Sequence, residues 1–167
     1  MTISEGGPVR SYAVGPPRRI LVPLDLSARS RVGLSYAALL AAPFDATLIL
    51  MTNVNLPEQA VLEEHAARTG CSADEAGPTL LRSVAEEIAP GITSAIVLRQ
   101  HAFPANGILA VADEEDADLI VVASHGRSGM SRWLLGSVAE KVARVADVPV
   151  VIVPTRHDRF DGSIAGL

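Results

Sequence analysis

Asp118-Leu119-Ile120-Val121-Val122-Ala123-Ser124-His125-Gly126 is followed by nine residues and then by Gly136-Ser137. The run from Leu119 to Ala123 is apolar at every position. A strand that is apolar on both faces is buried on both, which is the environment of a parallel sheet covered by helices. The segment Asp118–Ser124 therefore reads as a strand. Gly126 and Gly129 then break the pattern, and a helix opens near Gly136-Ser137 with Val138, Val142 and Val145 on one face. A strand, a glycine loop and a helix in this order form half of a βαβ unit.

Working outward, the same alternation recurs. Ile20–Leu24 is an apolar run that ends at Asp25. Pro23 removes one ladder donor, so the strand ends there or needs no donor at that position. Ser27 or Ser30 can cap the next helix, whose stripe is Leu34, Ala38 and Ala41 and whose stop is Pro43. Ala46–Val54 is the second strand. Residues 55–77 form a connection with helical pattern around Pro57–Arg68, broken by Gly70 and Gly77. Thr79–Ala89 is a helix, and Ser94–Arg99 is the third strand. Pro104 takes a first helical position, with Ile108, Val111 and Ala112 on the buried face. Val148–Val153 is the last strand. Five strands alternating with helices predict an α/β fold, a five-stranded parallel, doubly wound, Rossmann-like sheet in a single domain. Residues 1–17 read as a flexible N-terminal extension, 18–154 as the domain and 155–167 as a polar tail.

Composition narrows the function. The chain has 167 residues, 49% of them hydrophobic but only 4% aromatic, so the core must be built from Val, Leu, Ile and Ala. A net charge of −5 argues against binding a nucleic-acid backbone. It does not exclude a single nucleotide, because backbone N–H groups hold phosphate without net charge. Cys71 is the sole cysteine, so no intramolecular disulfide forms, as in a reducing cytoplasm. Residues 1–17 lack the basic start and apolar core of a signal peptide, and no apolar run reaches membrane-spanning length.

In a doubly wound sheet, ligands bind beyond the carboxyl ends of the strands, where the strand order reverses. Asp25 and the loop Ala123–Ser137 both lie at such ends. Gly126 and Gly129 permit close backbone approach, successive loop N–H groups can form an anion nest, and the helix opened by Gly136-Ser137 points its dipole at the loop. Arg127 and Arg132 could add charge. The same loop also reads as a plain strand-to-helix connection. No Gly-x-x-x-x-Gly-Lys-Ser/Thr and no Gly-x-Gly-x-x-Gly is present. Gly126-Arg127-Ser128-Gly129 is one residue short of a nucleophile elbow, which makes Ser128 a poor nucleophile.

Taken together, these residues resemble the universal stress protein family over roughly residues 18–154. The resemblance is carried by Arg19-Ile20-Leu21-Val22-Pro23-Leu24-Asp25, by Phe103-Pro104, by the Gly126 to Gly136-Ser137 spacing and by Val148-Pro149-Val150-Val151-Ile152-Val153. It implies strand order 3-2-1-4-5 and a homodimer made by the strand Val148–Val153. It also implies an adenine nucleotide, ATP or AMP or else ADP, with or without magnesium, bound in a stress-response regulator or sensor. The site it implies comprises Asp25 near the adenosine, the backbone of Asn53 at the adenine edge, Val122 and Ala123 at the end of the fourth strand, and Gly126, Gly129, Gly136, Ser137 and Val138 around the phosphates. Two residues depart from the family. Ala123 replaces the first glycine of the ATP-binding motif, and Ala102 replaces the glycine before Phe103-Pro104. If φ at Ala123 is negative the alanine costs little; if φ is positive it distorts the site. Asn53 stands where the family usually has an apolar residue.

Other candidates carry less. Asp25 is also a favourable acid before a helix. His125 has no neighbouring Cys or acid to make it catalytic, and reads as loop structure. Trp133, with Met130 and Leu134-Leu135, is a loop anchor or subunit contact. His65, His101 and His157 lack metal-ligand spacing. No general base for water activation is evident, so an enzyme, at most a slow ATPase, is not expected. The competing expectation is a nucleotide-independent dimeric interaction module. The protein partner is not readable.

Overall fold

A computed structural model describes residues 15–124 and 135–155. The expected extension and tail fall largely outside these residues, as do His125, Gly126, Arg127, Ser128, Gly129, Met130, Arg132, Trp133, Leu134 and His157. The described elements run β1 (Arg19–Pro23), α1 (Ser30–Ala41), a 3-10 turn (Ala42–Phe44), β2 (Thr47–Asn53), α2 (Leu56–Thr69), α3 (Ala73–Ile88), β3 (Ser94–Arg99), α4 (Pro104–Glu114), β4 (Leu119–Ala123), α5 (Ser137–Val145) and β5 (Val150–Val153). The strands form one parallel five-stranded sheet in the order β3-β2-β1-β4-β5. This is the expected doubly wound fold.

Two apolar layers sandwich the sheet. One, centred on Ile20, Leu34, Leu48, Leu50 and Leu81, joins it to α1 and α3. The other, centred on Leu21, Ile49, Ile108, Ile120 and Val142, joins it to α4 and α5. Successive residues of β1 and β2 enter opposite layers, which explains why both strands read as unbroken apolar runs.

Several local expectations need correction. Gly77 does not break the chain; it is buried within α3, which starts at Ala73 rather than Thr79. A Cβ at Gly77 would stand 2.4 Å from Cδ1 of Leu98, so the glycine lets α3 press against β3. Pro78 forfeits one intrahelical bond, but burial of the face that includes Leu81, Val84 and Ala85 keeps the helix going. Gly70 does stop α2, with φ at +74°. Ser30 lies inside α1 and the capping position is Arg29, without a side-chain bond. Ser27 contributes instead, its Oγ accepting from the Ser30 N–H at 3.4 Å. Along α1 it is Ala37, not Ala38, that is fully buried. Val145 is 51% exposed, because α5 turns Ala139 and Val142 inward. At the start of α3, Ser72 donates to Glu75 from its hydroxyl and its backbone N–H, which holds the Glu75 carboxyl below the usual range.

Candidate nucleotide crevice

The sheet opens where its strand order reverses, and a proline stands at the point of opening. The Arg19 carbonyl accepts from Asp118, just before β4, whereas the Leu24 N–H donates to Met51 of β2. Alternate residues of a parallel strand bond to opposite neighbours, so Leu21 and Pro23 face β4. Pairing between β1 and β4 stops at Leu21 with Ile120. Pro23 thus sits one step beyond the last pair, where its missing N–H leaves no broken bond. On the other side, β1 stays paired to β2 through Pro23 and Met51.

The gap widens into a crevice of about 280 Å³. That is near the lower end of small-molecule sites, ~300–1,000 Å³. Its walls bring together the ends of β1, β2 and β4 and the starts of α2 and α5. Of the expected site residues, Asp25, Asn53, Val122, Ala123, Gly136, Ser137 and Val138 all line it. Gly126 and Gly129 lie outside the described residues.

Each of these residues is held in place by its own loop. Asp25 Oδ1 accepts from the Ser27 N–H at 3.0 Å and the Ser27 hydroxyl at 2.5 Å. This tight turn puts Leu26 in the left-handed region at φ +60°, a conformation disfavoured for a branched side chain. Thr52 is fully buried and donates its hydroxyl to the Leu24 carbonyl at 3.0 Å, bracing the same loop from β2. By the alternation above, Asn53 turns its backbone N–H and C=O toward the β1 side, past the point where β1 ends. Its Nδ2 donates to the His101 carbonyl at 3.0 Å, tying β2 to the loop before α4. Gly107 makes room for this tie, since a Cβ there would lie 3.0 Å from Asn53 Oδ1.

Ala123 belongs to β4 and pairs with Val153, and its φ is not positive. Its methyl lies against Gly33 of α1, whose own Cβ would come within 3.9 Å of it and 3.3 Å of the Ala123 nitrogen. The absent side chain at Gly33 therefore lets α1 approach the β4 backbone at Ala123, and the alanine sits in a regularly paired strand.

The start of α5 is pinned beside the end of β4, because the Gly136 N–H donates to the Ser124 carbonyl at 2.8 Å. Ser124 also uses its hydroxyl to hold the Thr155 N–H at 3.1 Å. Helix geometry leaves the N–H groups of Ser137, Val138 and Ala139 without intrahelical partners, and among the described residues no side chain caps them. All three residues line the crevice, so three donors and the positive end of the α5 dipole converge there.

Residues at the opposite wall were not anticipated. Asn55 caps α2 and Glu58 reaches back to the Asn55 N–H at 3.2 Å, forming a capping box. Glu58 is buried and lines the crevice. The signal was present as Asn55-Leu56-Pro57-Glu58, a capping sequence with proline in the first turn. The crevice is therefore polarised, with two carboxylates on the β1–β2 side and helix donors on the β4–β5 side. Among the described residues, no three His, Cys, Asp or Glu side chains converge on a metal position.

Comparison with known proteins agrees with this architecture. The family model described as the universal stress protein family matches residues 16–154. Universal stress protein MJ0531 of Methanocaldococcus jannaschii is 33% identical over 141 residues, covering 81% of each chain. A solved universal stress protein in complex with cAMP shares 29% identity at a TM-score of 0.60, covering 85% of this chain and 100% of that one. The universal stress protein from Archaeoglobus fulgidus in complex with dAMP superposes with a TM-score of 0.54 over 81% of this chain and 96% of that one; at 22% identity this likeness speaks for the fold. With the fold, the crevice and a family match across nearly all described residues in agreement, the chain belongs to the universal stress protein family.

Proposed function

We propose that the crevice binds an adenine nucleotide and that the protein acts as a nucleotide-responsive regulator or sensor in stress responses. The carrying observation is the set of unpartnered N–H groups at Ser137, Val138 and Ala139, facing a crevice whose other wall holds Asp25 and Glu58. Phosphates are anions and suit the helix start. Ribose hydroxyls and an exocyclic amino group are donors and suit carboxylates. The backbone N–H and C=O of Asn53 offer a donor–acceptor pair to the edge of a base. The complex of a family member with cAMP supports adenine as the base. The reading covers ATP, AMP and ADP, with or without magnesium. It is a binding role without catalysis, since both crevice carboxylates anchor their own loops. Calorimetric titration with AMP and ATP should give saturable heat; no heat and no thermal shift at millimolar ligand would rule it out.

The competing reading, a nucleotide-independent module, loses its motive at Ala123. Because Ala123 is an ordinary strand residue, Ala123→Gly should leave nucleotide affinity within about threefold. It should lower stability by ~0.5–1 kcal/mol through backbone entropy. If affinity appeared only in the glycine variant, the module reading would gain.

We also propose that two copies associate through β5. Among the described strands, β5 pairs only with β4, and an apolar open edge invites another strand. The Pro149 and Val153 carbonyls bond to β4 and the residue after it, so Ile152 turns its N–H to the open side. Ile152→Pro should therefore remove a donor from the edge while sparing the β4 ladder. Sedimentation should show a dimer converted to monomer; an unchanged dimer would place the interface elsewhere.

A further inference from the structure

Among the described residues, the charged side chains that line the crevice are Asp25 and Glu58, both acidic. Leu26, next to Asp25, lines a separate cavity between α1, α2 and α3. Adenine nucleotides differ chiefly in their number of phosphates, and each added phosphate adds negative charge. A cation beside the phosphate end therefore sets which of them is favoured.

One lysine stands beside that end. Lys141 follows Ser137 by four residues on α5, so the two share a helix face, one turn of about 5.4 Å apart. Side chains on a helix lean toward its N-terminus. The long, flexible lysine stem thus carries its ammonium back toward the level of Ser137, which lines the crevice. The structure shows where that ammonium rests. Nζ lies 5.8 Å from the centroid of the Phe103 ring. Phe103 immediately precedes Pro104, and Pro104 lines the crevice at the start of α4. Lysine and ring stand together beside the crevice, between the starts of α4 and α5.

Both partners face solvent. Phe103 is 64% exposed, and Lys141 is exposed. Glu140, the residue before, is engaged by Arg144. No carboxylate among the described residues pairs with Lys141. An ammonium over an exposed ring is held weakly, whereas its charge-assisted bond to a phosphate is strong. The ring therefore keeps the ammonium in place without competing with an anion for it.

We propose that Lys141 is a specificity-determining residue, whose ammonium leaves the Phe103 ring for the phosphates beyond the first, so that the crevice favours ATP and ADP over AMP. This rests on the nucleotide reading above. On that reading, the phosphate nearest the ribose takes the N–H groups at the start of α5. In a crevice of only about 280 Å³ the outer phosphates run out toward solvent, past the face of α5 that carries Lys141. A compact point charge on a flexible stem suits such a tail. AMP ends at its first phosphate and gains little from it.

Calorimetric titration of the whole protein with ATP and with AMP, both without magnesium, tests the assignment. The parent should bind ATP about tenfold more tightly than AMP. Lys141→Met keeps most of the stem and removes the charge. It should weaken ATP by about tenfold and leave AMP within about threefold. Lys141→Arg should restore most of the preference for ATP. Added salt should narrow that preference more in the parent than in the methionine variant, because screening acts on the ammonium–phosphate attraction. Lys141 is exposed, so the variants should unfold at the parent's temperature. Equal losses for both nucleotides, or no loss for either, would overturn the assignment. A parent that binds AMP but not ATP would overturn it and leave the crevice reading standing. If the parent binds neither, the crevice reading itself fails and the lysine assignment falls with it.

Discussion

Ser137→Pro should weaken nucleotide binding by about ten- to a hundredfold while leaving α5 folded. Ser137 is the first residue of α5, the position proline favours in a helix. The residue before a proline must be extended, and Gly136 already is, with φ −60° and ψ 142°. The Ser137 N–H has no intrahelical partner to lose, and the residue is exposed. The substitution therefore removes one crevice donor and the serine hydroxyl with little effect on the fold. A hydrogen bond to a charged group contributes ~1.5–3 kcal/mol, which sets the expected loss. Ser137→Ala keeps the N–H and should lose only a few-fold. Titration with AMP and ATP beside thermal unfolding separates binding from stability. A proline variant that is equally stable and binds as tightly as the parent would move the phosphates away from α5.

The largest effect on stability is expected from Leu50→Ala, at ~2–5 kcal/mol. Leu50 is in β2, fully buried in the layer shared with α1 and α3. Truncation leaves a void that the rigid sheet cannot close. Against a total stability of ~5–15 kcal/mol, that is a large share. Leu39→Ala is the control. Leu39 is 65% exposed on α1, and its loss should stay within ~0.5 kcal/mol. Denaturant unfolding of the two variants gives the comparison directly. Similar losses at both sites would mean that Leu39 is covered in solution, and would point to an interface on α1.

The two leucines also show where reading a sequence stops. Both are leucines in apolar surroundings, and composition does not separate them. Periodicity did locate the elements, since a buried parallel strand and an amphipathic helix leave different repeats in the chain. Ser94–Arg99 and the start at Pro104 were legible in full. Gly77 was misread because its effect is not local; it looks like a stop until Leu98 packs over it. In the crevice, Asp25, Gly136 and Ser137 were legible from position at strand ends and helix starts. Glu58 was not sought, because a capping glutamate announces a helix and not a cavity wall.

The loop before α5 and the residue that opens it divide along the same line. By itself, the sequence determined the order of strands and helices, the family and the placing of a helix start after β4. The elements follow from hydrophobic repeats, and the family from the resemblance of its motifs, both of which are read from neighbours along the chain. Only the tertiary structure decided that Ala123 lies in a regularly paired strand without positive φ, that Pro23 falls beyond the last β1–β4 pair and that Asp25 and Leu26 line different cavities. Each depends on which backbone stands opposite. Gly33 is 90 positions from Ala123 in the chain, yet the missing side chain at one lets its helix approach the backbone of the other.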